Sequence, residues 1–153
     1  MIRENYIPIV KLKMVKEKTL PYGGARLNNA KKVASVANLV LAGADREYLL
    51  VISVNTKNQP IALEIVSIGS VDTAFAVPRE VFKHAVLSNA AGILLVHNHP
   101  SGDCKPSKED MHITERMERA GEILGIPVID HVVLGEGEFY SFKERERYRE
   151  EIQ

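Results

Sequence analysis

Residues 93–110 read I-L-L-V-H-N-H-P-S-G-D-C-K-P-S-K-E-D, and the rest of the chain is arranged around them. The apolar run 93–96 predicts a buried strand that stops abruptly at His97-Asn98-His99. Side chains two apart on a strand share a face, so His97 and His99 aim together while Asn98 turns away. Pro100, Ser101, Gly102 and Asp103 force a loop. Pro106 and Ser107 then open a helix whose first turn carries Asp110. Two imidazoles at a strand end and a carboxylate returning on the next helix are suited to close around one metal ion.

The residue types point to catalytic zinc. Such sites take three protein ligands from His and Asp/Glu and leave the fourth position to water. His97, His99 and Asp110 supply those three. A zinc-bound water falls in pKa from 15.7 in bulk to about 7, which makes a hydroxide nucleophile available near neutrality. Ser107, one turn from Asp110, is placed to donate a hydrogen bond to an oxyanion. Each part has a plainer reading. Many H-x-H pairs are surface or internally satisfied histidines, and Ser107-x-x-Asp110 is close to a capping box, worth about 1 kcal/mol. Cap and site are compatible, because a cap fixes the first turn that presents Asp110.

H-x-H followed after seven residues by S-x-x-D resembles the signature of the JAB/MPN (JAMM) metalloprotease superfamily. The wording H-N-H-P-S-G-D-x-x-P-S-x-x-D is similar to its RadC branch. V-P-R-E-V-F at 77–82, A-G-E-I-L-G-I at 120–126 and Asp130-His131 extend the likeness over 45–142. The resemblance implies a cytidine deaminase-like α/β layered fold with a mixed β-sheet flanked by helices. It also implies one zinc ion per chain on His97, His99 and Asp110, with Ser107 assisting. A glutamate general base is implied just before an early core strand, and Glu47 fits that place; Glu64, inside the next strand, is its rival.

The 153 residues suit one structural domain with a real core. Within it the sequence marks an N-terminal strand, loop and helix over 1–44, the JAB/MPN RadC-like core over 45–142, and a charged tail over 143–153. Apolar residues make up 45% of the chain without a run long enough to span a bilayer, so no membrane association is expected. No signal-peptide layout opens the chain, and a single cysteine excludes an internal disulfide framework. Both point to the cytoplasm. The zinc deaminase reading fails for want of a P-C-x-x-C pair. A net charge of zero gives little support to a dedicated nucleic-acid binder.

Charge is uneven, however. Residues 1–32 hold Arg3, Lys11, Lys13, Lys16, Lys18, Arg26, Lys31 and Lys32 against Glu4 and Glu17. Such an arm touches nucleic acid or an acidic partner, or it is a lysine-guarded edge strand. The alternation in I-V-K-L-K-M at 9–14 predicts a half-buried strand. Helical spacing of Ala30, Val33, Val36 and Val40 predicts a helix from 28 stopping near Gly43, and 48–54 with 61–69 reads as a hairpin. Pro78 starts a helix over 79–89 with Val81, Phe82, Ala85 and Val86 inward. A helix over 108–124 is expected to bury Met111, Met117, Ala120, Ile123 and Leu124, with Gly125 as its stop. A strand over 126–134 carries His131, read as a core histidine, a supporter of the metal ligands, or a further ligand. The tail from 143 reads as a solvent-laced helix.

Two departures from the RadC pattern matter. About 40 residues precede the core, too few for the helix-hairpin-helix-like segment of longer RadC proteins, which weakens the DNA-repair role that the family label carries. Cys104 stands where the family commonly has proline, and a thiol so close to two imidazoles is a candidate latent zinc ligand. The expected activity is zinc-dependent hydrolysis of an amide or isopeptide bond in a peptide or protein substrate. The alternatives are a nucleic-acid-processing, repair-associated factor and an interaction module without turnover.

Overall fold

The two most apolar segments form the centre of one sheet. Strand β1 (Tyr48–Val54) is buried from Leu49 onward and β3 (Gly92–Asn98) along its whole length, as strands covered on both faces must be. The computed structural model describes residues 5–69 and 76–149. Its sheet has six strands in the order β2 (Pro60–Ile68), β1, β3, β4 (Val128–Leu134), β5 (Glu138–Ser141) and β6 (Glu146–Arg149). β3 and β4 run parallel and every other neighbouring pair is antiparallel, so the sheet is mixed.

Helix α1 (Ala30–Leu41) covers one face, setting Val33, Ala34, Ala37 and Leu41 on Leu50, Ile52, Leu94 and Val96. Helices α2 (Pro78–Leu87) and α3 (Lys108–Leu124) lie on the other, where Val81, Phe82, Ala85 and Met117 meet Leu49, Val51, Ile93 and Leu95. Each of the larger apolar side chains contributes about 1.5–3 kcal/mol on full burial. The result is the α/β layered fold with helices on both faces of a mixed sheet that the sequence leads one to expect. Strand parity then aims the site. His97 follows Ile93 and Leu95 to the α2–α3 side, whereas Asn98 follows Leu94 and Val96 to the α1 side.

Local chemistry fixes the helix ends. Asn29 caps α1 by accepting the Lys32 N–H at 2.9 Å. Pro78 occupies the first turn of α2. Gly125 ends α3 in the left-handed region, at φ 69°, and Ile126 N–H returns to Gly121 O at 2.9 Å.

Several expectations from the sequence are corrected. Residues 9–14 form no strand and stand exposed, because no neighbouring strand lies beside them. The tail is not a helix: residues 146–149 add a strand to β5, where Tyr148 stacks on Phe139 with ring centroids 5.1 Å apart. Positions 150–153 of the expected tail helix lie outside the described residues. Val86, Met111, Ile123 and Leu124 are exposed rather than inward. In α3 the inward stripe is Asp110, Thr114, Met117 and Gly121, spaced at helical intervals. Two of its places are polar, so a search for apolar residues selects the wrong angle around the helix.

Candidate metal centre

His97 is the last residue but one of the buried strand β3, and His99 lies just beyond it, with its N–H bonded to Leu134 O at 2.8 Å. Capping presents Asp110. The Ser107 hydroxyl accepts Asp110 N–H at 3.0 Å, and Asp110 Oδ2 accepts Ser107 N–H at 2.6 Å. This reciprocal box locks the first turn of α3 with the carboxylate directed at the imidazoles. Glu47 heads β1 and joins the same group. One ligand atom from each of Glu47, His97, His99 and Asp110 lies within 4.8 Å of all the others.

The four do not stand at equal distances. Asp110 Oδ1 is 3.2 Å from His97 Nε2, and its Oδ2 is 3.3 Å from His99 Nε2. Glu47 Oε1 stands back, 3.8 Å from His97 Nε2 and 3.9 Å from His99 Nε2. A tight N, N, O set therefore faces a carboxylate one step removed.

Hydrogen bonding decides which ring nitrogens carry protons. Thr114 Oγ1 donates to the Asp110 carbonyl at 2.6 Å, which uses its only hydrogen. It must therefore accept from His131 Nδ1–H, also at 2.6 Å. That leaves His131 Nε2 bare, and it accepts His97 Nδ1–H at 2.7 Å. His97 Nε2 is then bare as well. His99 reaches the same state by a shorter route, because its Nδ1–H donates to Asp103 O at 2.7 Å. Two bare Nε2 atoms thus face each other at 2.9 Å, an arrangement that repels unless a cation or a proton lies between them.

The electrostatics favour positive charge there. Burial works against a charged His99, but Asp110, the Asp103 carbonyl and Glu47 together raise its pKa above the ordinary value. Burial also works against the Asp110 carboxylate, yet His97, His99 and the Ser107 N–H hold it well below the usual carboxylate range. His131, fully enclosed and beside His97, is pushed well below the ordinary histidine value and stays neutral, as its place in the relay requires.

Two further residues hold the frame. Asn98 Oδ1 accepts Tyr48 N–H at 2.9 Å, and its amide donates to Arg46 O at 2.9 Å, so it grips the backbone on both sides of Glu47. The loop after His99 is pinned where Glu136 N–H meets Gly102 O at 2.8 Å. Gly135 has no room for a side chain there: a Cβ would sit 2.4 Å from Gly102 O.

Glu47, His97, His99 and Asp110 are thus brought together, and Ser107 is bound into the cap beside them. Glu64 is exposed on β2 opposite Val51, outside this group. Cys104 is buried and groups with Asp103 and Glu138 rather than with the imidazoles. His131 is a buried, hydrogen-bonded support of His97 and lies outside the four-residue group. Sequence reasoning missed Thr114 and the grip of Asn98. A Thr four residues after a first-turn Asp was the available sign of the first, since that spacing stacks the two on one helix face.

The sequence also matches known proteins. The family model for the RadC-like JAB domain matches residues 27–148. A UPF0758 protein of Moorella thermoacetica is 47% identical over 119 residues, covering 78% of this chain and 52% of the relative. One from Caldanaerobacter subterraneus subsp. tengcongensis is 52% identical over 103 residues, 67% of this chain and 44% of its own. One from Methanosarcina barkeri is 46% identical over 99 residues, 65% and 43% respectively. The chain spans about half the length of these relatives. Among the described residues no helix is long and apolar enough to cross a membrane.

Proposed function

The chain belongs to the RadC-like JAB domain family, and we propose that it is a zinc-dependent hydrolase cleaving an amide or isopeptide bond in a peptide or protein. The observation that carries this reading is the approach of the two Nε2 atoms to 2.9 Å beside Asp110, with Glu47 held farther off. Imidazole nitrogen and carboxylate oxygen are the donor types that zinc takes, so the residues fit the ion. His97, His99 and Asp110 would hold it. When bound, it would supply Lewis acidity to a substrate carbonyl and lower the pKa of a water to about 7.

The chain's own groups do the rest. The carboxylate of Glu47, 3.8 and 3.9 Å from the two Nε2 atoms, would take the proton of the attacking water and return it to the leaving nitrogen. Asn98 holds Glu47 in place through the backbone. The Ser107 oxygen accepts from Asp110 N–H, which leaves its own O–H free to donate to the developing oxyanion. His131 and Thr114 orient His97 and take no part in proton transfer to substrate.

Glu47→Gln tests this assignment. The variant is expected to keep its zinc and lose cleavage of a quenched-fluorescent peptide library by about 100-fold or more. Turnover equal to wild type would remove Glu47 from the role of base.

A further inference from the structure

The chain carries one strand sequence without a sheet, and its sheet ends in two edge strands, β2 and β6. None of residues 5–26 belongs to a strand, yet Val10, Leu12 and Met14 alternate with Lys11 and Lys13 as a half-buried strand does. In the isolated chain these apolar side chains are 72%, 78% and 46% exposed. β2 is the longer of the two edge strands, and its outer backbone N–H and C=O groups stand ready for pairing. On its α1 side Ile61 and Ile65 remain 45% and 37% exposed, flanking the partly buried Leu63. On its other side Glu64 is exposed.

The two patterns are complementary. A strand laid beside β2 with Val10, Leu12 and Met14 on the α1 side extends the apolar strip of Ile61, Leu63 and Ile65. The same parity sets Lys11 and Lys13 on the side of Glu64. A nucleic-acid arm has no use for the apolar stripe, whereas an added strand uses both faces. We propose that the arm of one copy pairs along β2 of a second copy, so that the protein dimerises by reciprocal strand addition. The second copy, rather than the chain's own arm, is the occupant because within one chain the arm leaves β2 unpaired: residues 5–26 form no strand, and the sheet begins at β2.

Light scattering on the full chain over a concentration series tests this, with Leu12→Pro and Ile65→Lys alongside. Proline removes the N–H that a paired strand needs, at a position outside the core, so the fold remains to be scored by circular dichroism. The expected result is a dimer of twice 17.0 kDa. Each variant should weaken its dissociation constant at least about tenfold, a loss of ~1.4 kcal/mol. A monomer at every concentration, or a dimer that both variants leave intact, overturns the proposal. Arm amides protected from hydrogen exchange in a monomeric sample overturn it in favour of pairing within one chain.

Discussion

Replacing Thr114 by valine removes one hydroxyl and almost no volume, yet it withdraws both ends of the relay that sets the His97 tautomer. The hydroxyl donates to Asp110 O and accepts His131 Nδ1–H, each at 2.6 Å. Without it, one course leaves the buried Nδ1–H of His131 unpaired, at about 1–3 kcal/mol. The other moves the His131 proton to Nε2, where it meets His97 Nδ1 and drives the His97 proton onto the nitrogen that faces Asp110. The first course lowers stability and the second lowers zinc affinity. Loss of a hydrogen bond behind a ligating histidine typically weakens metal binding 10–100-fold, which is ~1.4–2.7 kcal/mol. A competitive zinc titration against a chromophoric chelator measures the affinity. Nitrogen-15 NMR of the imidazoles reads the tautomers, and Thr114→Ser should restore both. Wild-type affinity in Thr114→Val, with His97 still protonated at Nδ1 and stability unchanged, would refute the relay.

Asn98→Ala removes the two hydrogen bonds that brace Glu47. A loss of ~1–3 kcal/mol in urea unfolding is expected, and turnover should fall up to about 100-fold from misplacement of the base while zinc content holds. Metal-free protein should have a peaked stability profile against pH. His99, raised above its ordinary value, contributes stability that grows as pH falls toward 6.5 and is lost as pH rises through its folded value. His84 and His131 are held neutral by burial, so below 6.5 the unfolded chain takes up protons that the native state refuses, and stability declines. Chemical denaturation from pH 5 to 8, at intervals of about half a unit, checks both slopes; a flat profile would contradict these environments.

Much of the centre was legible because it is local. A strand end, a two-residue spacing and a capped first turn place His97, His99 and Asp110 without any long-range information. Glu47 came from family resemblance, since nothing around it distinguishes it from any glutamate ahead of a strand. Asn98 and Thr114 were hidden because they act on groups reached only through the fold: Asn98 touches backbone some 50 residues earlier. The same reason explains the fold errors. β6 is charged and weakly patterned, and it exists because β5 offers an edge and Phe139 a ring to stack on. Residues 9–14 have the pattern of a strand and lack a neighbour.

The zinc content of untagged protein, measured by elemental mass spectrometry beside His97→Ala, tests the central claim most directly. The account predicts about one zinc per chain, lost in the variant. A chain that holds no zinc after reconstitution, or a variant that holds as much as wild type, would contradict it.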